Sequence, residues 1–162
     1  MVEVRMAKPA EAPMLAAIMV QSFRTAFQEL VSKETLEQCA DLQNCTAMLA
    51  RVCENPQIHS YLAVLDGKTC GELFWTGEAE AELIALHSLP EVWGRGVGAI
   101  LLQRALEDMK TAGVKRVVLW AFRENSRARR FYEKNGLKAN GAERISEFDG
   151  AVEICYEKEL QS

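Results

Sequence analysis

A chain of 162 residues fits one domain of ordinary size, and 49% hydrophobic with 26% charged residues is globular composition, so a single domain over 1–162 is expected. A net charge of −4 argues against nucleic acid, whose phosphates are held by Lys and Arg, and no stretch approaches the roughly 20 apolar residues of a membrane span. The expectation is a cytoplasmic protein with no nucleic-acid or membrane partner, because Val2-Glu3-Val4-Arg5-Met6 alternates like a strand and lacks the apolar core of a secretory signal. Cys39, Cys45, Cys53, Cys70 and Cys155 are odd in number and none has zinc-site spacing, which reads as reduced packing residues and no metal.

After the first strand, Pro9 to Pro13 opens a helix on which Leu15, Ile18, Met19, Ser22 and Phe23 recur at helical spacing. Thr35-Leu36-Glu37-Gln38 has the form of a capping box, and Asn44 is expected to cap a further segment that Asn55-Pro56 stops, giving a broken second helix. Tyr61 to Leu65, the turn Asp66-Gly67, and Thr69 to Thr76 predict a hairpin. A third strand follows Gly77 and runs to about Ser88, with all three as antiparallel neighbours.

From Gly98 the spacing of Leu101, Leu102, Ala105, Leu106 and Met109 predicts a helix closed by Gly113. Val117 to Phe122 is a continuous apolar run, as in strands buried on both faces. Asn125 to Asn135 predicts a last helix ended by Gly136, and Leu137 to Leu160, interrupted at Asp149-Gly150, a closing hairpin. These elements compose an α/β sheet with helices on both faces.

Between the strand ending near Leu89 and the long helix lies Trp93-Gly94-Arg95-Gly96-Val97-Gly98-Ala99. A helix entrance leaves backbone N–H groups unpaired and carries partial positive charge, while glycines let the chain curl until several such groups converge, which suits a diphosphate. The spacing departs from both the P-loop and the dinucleotide fingerprint, and a plain tight turn is the competing reading.

This stretch resembles the Arg/Gln-x-x-Gly-x-Gly/Ala signature of the GCN5-related N-acetyltransferase (GNAT) family, with Trp93 in place of the leading Arg or Gln. Downstream, Asn125-Ser126-Arg127-Ala128-Arg129-Arg130-Phe131-Tyr132-Glu133-Lys134-Asn135-Gly136-Leu137 is similar to the same family's Asn-x-x-Ala-x-x-Phe-Tyr-Glu-Lys-x-Gly-Phe helix. The resemblance implies a mixed, mostly antiparallel sheet of six to seven strands and acetyl-CoA as acyl donor. It also implies that the backbone of Gly94, Arg95, Gly96, Val97, Gly98 and Ala99 holds the CoA pyrophosphate, with Arg95 adding charge. Leu86, His87 and Ser88 would lie along the pantetheine arm with an oxyanion donor near Ser88, and Asn125 would serve as helix cap and cofactor contact. A homodimer is expected on this analogy alone.

Amide formation from a thioester needs an amine stripped of its proton and a proton donor for the thiolate. Tyr132 is the candidate acid, a phenol of reference pKa near 10 facing a thiol near 8.5, and the transfer is expected to run downhill. Glu78, Glu80 and Glu82 alternate toward the site and face one side unless a bulge intervenes; Glu82 is the first candidate base, His87 or a water the alternative. The acidic approach favours a cationic small-molecule amine or a protein or peptide N-terminal amine, with Ser22 to Val31 as the acceptor region. Competing readings are a transferase of another acyl-CoA, a catalytically inactive CoA-binding regulatory module, and a nucleotide-binding module unrelated to CoA.

Overall fold

The computed structural model describes residues 1–147 and 149–160; Phe148, Gln161 and Ser162, which the expected domain includes, lie outside the described residues. Among the described residues seven strands form one sheet. β1 (Val2–Met6), β2 (Ile58–Leu65), β3 (Lys68–Gly77) and β4 (Glu80–Ser88) pair antiparallel in chain order. β5 (Arg116–Phe122) runs parallel to β4. β7 (Val152–Glu159) inserts between β5 and the outer strand β6 (Lys138–Ile145), giving the order β1-β2-β3-β4-β5-β7-β6. This is the mixed, mostly antiparallel sheet that the sequence leads one to expect.

Side chains of a strand alternate between faces, and β3 shows how this builds two cores. Leu73 and Trp75 join Leu101, Leu102, Ala105 and Met109 of α4 (Val97–Thr111) on one face. Phe74 turns the other way and joins Leu15, Ala16 and Met19 of α1 (Ala12–Ala26) and Leu49 of α3 (Leu42–Glu54). α4 lies directly on β3 because Gly71 has no side chain: a Cβ there would stand 2.9 Å from Leu101 Cδ1 and Val97 Cγ1. That contact fixes the entrance of α4 over the sheet.

The predicted hairpin forms with Asp66 at φ 52 and Gly67 at φ 80, the two consecutive left-handed residues that a tight two-residue turn requires. The second helix is broken, as expected, but both caps fall three residues earlier than the sequence suggested. α2 (Lys33–Cys39) is capped by Ser32, whose Oγ accepts from the Thr35 N–H at 3.1 Å. α3 is capped by Asp41, whose carboxylate accepts from the Asn44 N–H at 2.9 Å. Thr35 and Asn44 are thus the third helical residues, donors to the cap and not the caps themselves. Asp41→Ala is therefore expected to cost about 1 kcal/mol in urea unfolding, and Asn44→Ala to stay within about 0.5 kcal/mol of the native protein.

Candidate active site

The site begins where the sheet comes apart. β4 and β5 share three paired positions, Glu80 with Arg116, Ala81 with Val117 and Glu82 with Val118, and among the described residues no pairing joins them beyond Glu82. On its other side β4 stays paired with β3 to Ser88, and β5 stays paired with β7 to Phe122, so the two strands diverge. Arg116 clamps the closed end, reaching Glu157 on β7 at 3.0 Å and Glu80 on β4. The wedge leaves one edge of β4, from Leu83 to Ser88, without a strand partner.

On the α4 face the wedge is flanked by two helix entrances. Gly94 and Gly96 take φ of 84 and 82, and a Cβ on either would meet no heavy atom within 4 Å, so the turn is curled around open space. The first intrahelical bond of α4 runs from Ile100 N–H to the Gly96 carbonyl at 3.0 Å, leaving the N–H groups of Val97, Gly98 and Ala99 without a helix partner. α5 (Ser126–Lys134) starts at Asn125, whose side chain accepts from the Ala128 N–H at 3.2 Å. Its Phe131 ring lies 3.3 Å from where a Gly98 Cβ would stand, so that glycine lets the two helices meet.

One turn earlier on the same face of α5, Arg127 lies over Trp93, its guanidinium carbon 3.3 Å from the ring centroid, while the indole N–H donates to the Ser88 carbonyl at 3.0 Å. Burial desolvates the Arg127 guanidinium and lowers its pKa, and it forms no ion pair among the described residues. Arg95, by contrast, points toward Asp66 of the hairpin turn at 3.8 Å.

The α1 face holds the acidic candidates. Glu78 precedes β4 and Glu80 is held by Arg116, which leaves Glu82 at the vertex of the wedge without an ion pair among the described residues. A bulge lies beyond them, where Phe74 pairs with Ala85 and Trp75 with Leu83: Ile84 is the extra residue, and the alternation of Glu80 and Glu82 is unbroken. Because directly paired residues share a face, Glu82 (opposite Thr76) and His87 (opposite Glu72) both point to the α1 side despite their odd separation. They stand roughly 15 Å apart along the strand at about 3.3 Å per residue.

His87 Nδ1 lies 2.8 Å from Glu72 Oε2, and Glu72 is fully buried. Phe23 of α1 meets the imidazole edge-on at 5.6 Å between centroids and stacks on Phe27 at 5.3 Å, which meets Phe122 at 5.0 Å. The rings thus bridge the diverging ends of β4 and β5. Beside them, Thr25, Ala26 and residues 28–30 of the segment after α1, with Glu124, Asn125 and Ser126, line a pocket of about 230 Å³.

Tyr132 lies on the α4 face, buried between Phe131 and Tyr156, and its hydroxyl forms no hydrogen bond among the described residues. Burial alone pushes its pKa up to about 12. The strand pair thus opens into a wedge with a glycine turn at its mouth and a buried tyrosine on the α4 face. The profile of the Acetyltransferase (GNAT) family matches residues 16–137. The chain belongs to the GNAT family.

An uncharacterized N-acetyltransferase of Mycobacterium tuberculosis is 32% identical over 133 residues, 81% of this chain and 85% of that one. A spermidine N(1)-acetyltransferase of Thermoplasma acidophilum is 34% identical over 83 residues, 51% of this chain and 47% of that one. In fold, the PaiA N-acetyltransferase of Thermoplasma acidophilum, solved in complex with coenzyme A, aligns at a TM-score of 0.79 with 22% identity, covering 98% of this chain and 99% of that one.

Within this GNAT frame, the sequence-derived candidates fall into two groups. Leu86, His87, Ser88, Gly94 to Ala99, Asn125 and Tyr132 gather around the wedge, with Glu82 at its vertex. Sequence reasoning missed two side chains. Arg127 was legible as a cation one helical turn before Phe131, opposite the position where Trp93 replaces the motif's Arg or Gln. Glu72 was legible as an acid immediately before the apolar run from Leu73 to Trp75, on the same strand face as Phe74. The expectation that Tyr132 donates downhill is corrected: reference values already set that transfer uphill by about 1.5 units, and a pKa near 12 widens the gap.

The same burial carries a testable sign. A phenol at about 12 in the folded protein and near 10 unfolded keeps its proton longer when folded, so this contribution to stability is present below pH 10 and lost as pH rises toward 12. Denaturant unfolding from pH 9 to 12 is expected to show a steeper loss in the native protein than in Tyr132→Phe.

Proposed function

We propose that the protein transfers an acetyl group from acetyl-CoA to a primary amine by direct attack in a ternary complex. The observation that carries this reading is the unpaired edge of β4 beyond Glu82, opening onto the Gly94–Gly98 turn. An extended ligand can satisfy such an edge as a strand would, and Leu86, His87 and Ser88 are the residues assigned to the pantetheine arm. A backbone N–H near Ser88 is the assigned oxyanion donor. The free N–H groups at the start of α4 suit a pyrophosphate, with Gly94 and Gly96 keeping the cradle open. Asn125, which orders the entrance of α5, is the assigned contact on the opposite bank.

Arg127 joins this set in our reading. Its guanidinium has no carboxylate partner among the described residues, whereas Arg95 is drawn toward Asp66. A cation held over an indole beside the turn complements a diphosphate, and it replaces the charge that Trp93 does not supply.

Acetyl-CoA brings a thioester carbonyl open to a nucleophile. Glu82, at the wedge vertex, attracts the ammonium and is the first candidate to take its proton, directly or through a water. His87 as proton acceptor is the second reading, favoured by its hydrogen bond to Glu72. Tyr132 holds the departing thiolate through an O–H···S contact. The dry surroundings that raise the phenol also favour protonation of a thiolate lodged there, as burial raises the thiols of Cys45 and Cys70 in this protein. The pocket beside Phe27, with Glu29 and Glu124 in its lining, supports a cationic acceptor such as a polyamine.

The test is thiol release from acetyl-CoA over a panel of amines led by spermidine. Tyr132→Phe should lower kcat at least roughly tenfold with the donor KM little changed, as expected for an interaction made only as the thiolate leaves. Arg127→Ala should instead raise the donor KM about tenfold and leave kcat near native. Acetyl-CoA binding without turnover for any amine would favour the inactive regulatory module. Failure of acetyl-CoA at millimolar concentration to raise the Tm would count against the donor site itself.

A further inference from the structure

Glu72 is the most anomalous residue in the protein. It sits in the middle of β3 with its side chain fully buried on the face covered by α1 and α3, and its carboxylate has one partner, His87. Its second oxygen, Oε1, has no hydrogen-bond partner among the described residues. A buried carboxylate with an unsatisfied oxygen is costly, and an apolar side chain of similar volume would ordinarily serve the core as well or better. The neighbours make that point locally: Leu62, paired with Glu72 across β2, and Phe74, two residues on, are both buried apolar side chains on the same face.

The position of the pair gives the acid a use. His87 lies on the stretch of β4 that opens onto the wedge, and its side chain retains 14% exposure. Phe23 holds the imidazole edge-on from above. With Glu72 ionised, the 2.8 Å contact is an Nδ1–H donating to Oε2, an arrangement that leaves the lone pair on Nε2. We propose that Glu72 is a positioning residue that fixes this tautomer of His87, and that His87 Nε2 is the base that deprotonates the acceptor amine. This rests on the acetyltransferase reading and deepens it.

Proton and charge balance within the site. Nε2 takes one proton from the ammonium, the freed amine attacks the thioester carbonyl, the carbon–sulfur bond breaks, and the second proton lost by the amine nitrogen passes to the departing sulfur, leaving free CoA thiol beside the Tyr132 hydroxyl. The imidazolium formed on His87 is neutralised by Glu72 and returns its proton to water after the amide has left. Glu82 then attracts the cation without having to take its proton. Among the described residues, the titratable groups that face the pair are Glu82 on the same strand face and the thiols of Cys45 and Cys53 on α3, while α1 presents the apolar ring of Phe23. Burial raises both thiols, with the Glu72 charge as a lesser cause. Burial likewise raises Glu72 itself, and His87 opposes that rise.

The chain has two histidines, so nitrogen-labelled imidazoles can be assigned with a His59→Ala variant. The native protein should show His87 with its proton on Nδ1, and Glu72→Gln should weaken or shift that signal. Thiol-release kinetics with acetyl-CoA and spermidine should show His87→Ala slowed roughly 100-fold in kcat, with the donor KM retained and part of the rate restored by added imidazole. Glu72→Gln should be slowed, with the alkaline-rising limb of the pH–rate profile displaced from its native position. Glu72→Met should be equally slow with a Tm at or above native, separating function from folding. A native His87 protonated at Nε2 overturns the proposal even without turnover. So does a His87→Ala variant with native kcat and an unmoved pH limb. If acetyl-CoA fails to stabilise the native protein while the Nδ1 tautomer is present, the donor reading fails and the pairing stands.

Discussion

Three residue pairs between β4 and β5 decide the shape of this molecule's working half. Each strand is committed to a different neighbour, β4 to β3 along its length and β5 to all seven paired positions of β7, and the native twist of the two halves carries them apart once Arg116 has fastened the closed end. An unpaired strand edge is ordinarily a liability, because its N–H and C=O groups invite pairing with another chain. Here it lies inside the fold, flanked on one face by the entrances of α4 and α5 and bridged on the other by His87, Phe23, Phe27 and Phe122. The opening is thereby shielded from a second sheet and suited to a narrow, extended ligand.

The two faces of the wedge divide the chemistry. On the α4 side stand free N–H groups, Arg127 on its indole and the buried Tyr132, the set to which our proposal gives the donor's negative charge and the departing thiolate. On the α1 side stand Glu82 and the Glu72–His87 pair, a set that favours an arriving cation. The bulge at Ile84 makes this division possible: without it Glu82 and His87 would point to opposite faces, since their separation is odd.

Much of this frame was legible in the sequence because its signals are local. The glycine turn, the Asn125 cap and the Phe131-Tyr132 pair lie in two short segments whose chemistry is set by adjacent residues. The insertion of β7 between β5 and β6 was not legible, because either edge order satisfies the same alternation and the choice depends on long-range pairing. The caps of α2 and α3 were displaced by three residues because cap and third helical residue both favour small polar side chains, and Ser32/Thr35 and Asp41/Asn44 fit either assignment. Glu72 escaped notice because an acid on a strand ordinarily reads as a solvent-facing position; its burial follows from α1 and α3 packing on that face, which strand alternation alone does not specify.

The central claim is that the unpaired edge of β4 and the turn at the entrance of α4 form one continuous donor site, and peptide-resolved amide hydrogen exchange with and without acetyl-CoA tests it most directly. The account predicts that acetyl-CoA slows exchange together in two stretches, residues 83–88 and residues 94–99, with little change in β1, β2 or β6. Protection confined to another part of the sheet, or protection of the glycine turn with none along β4, would contradict it.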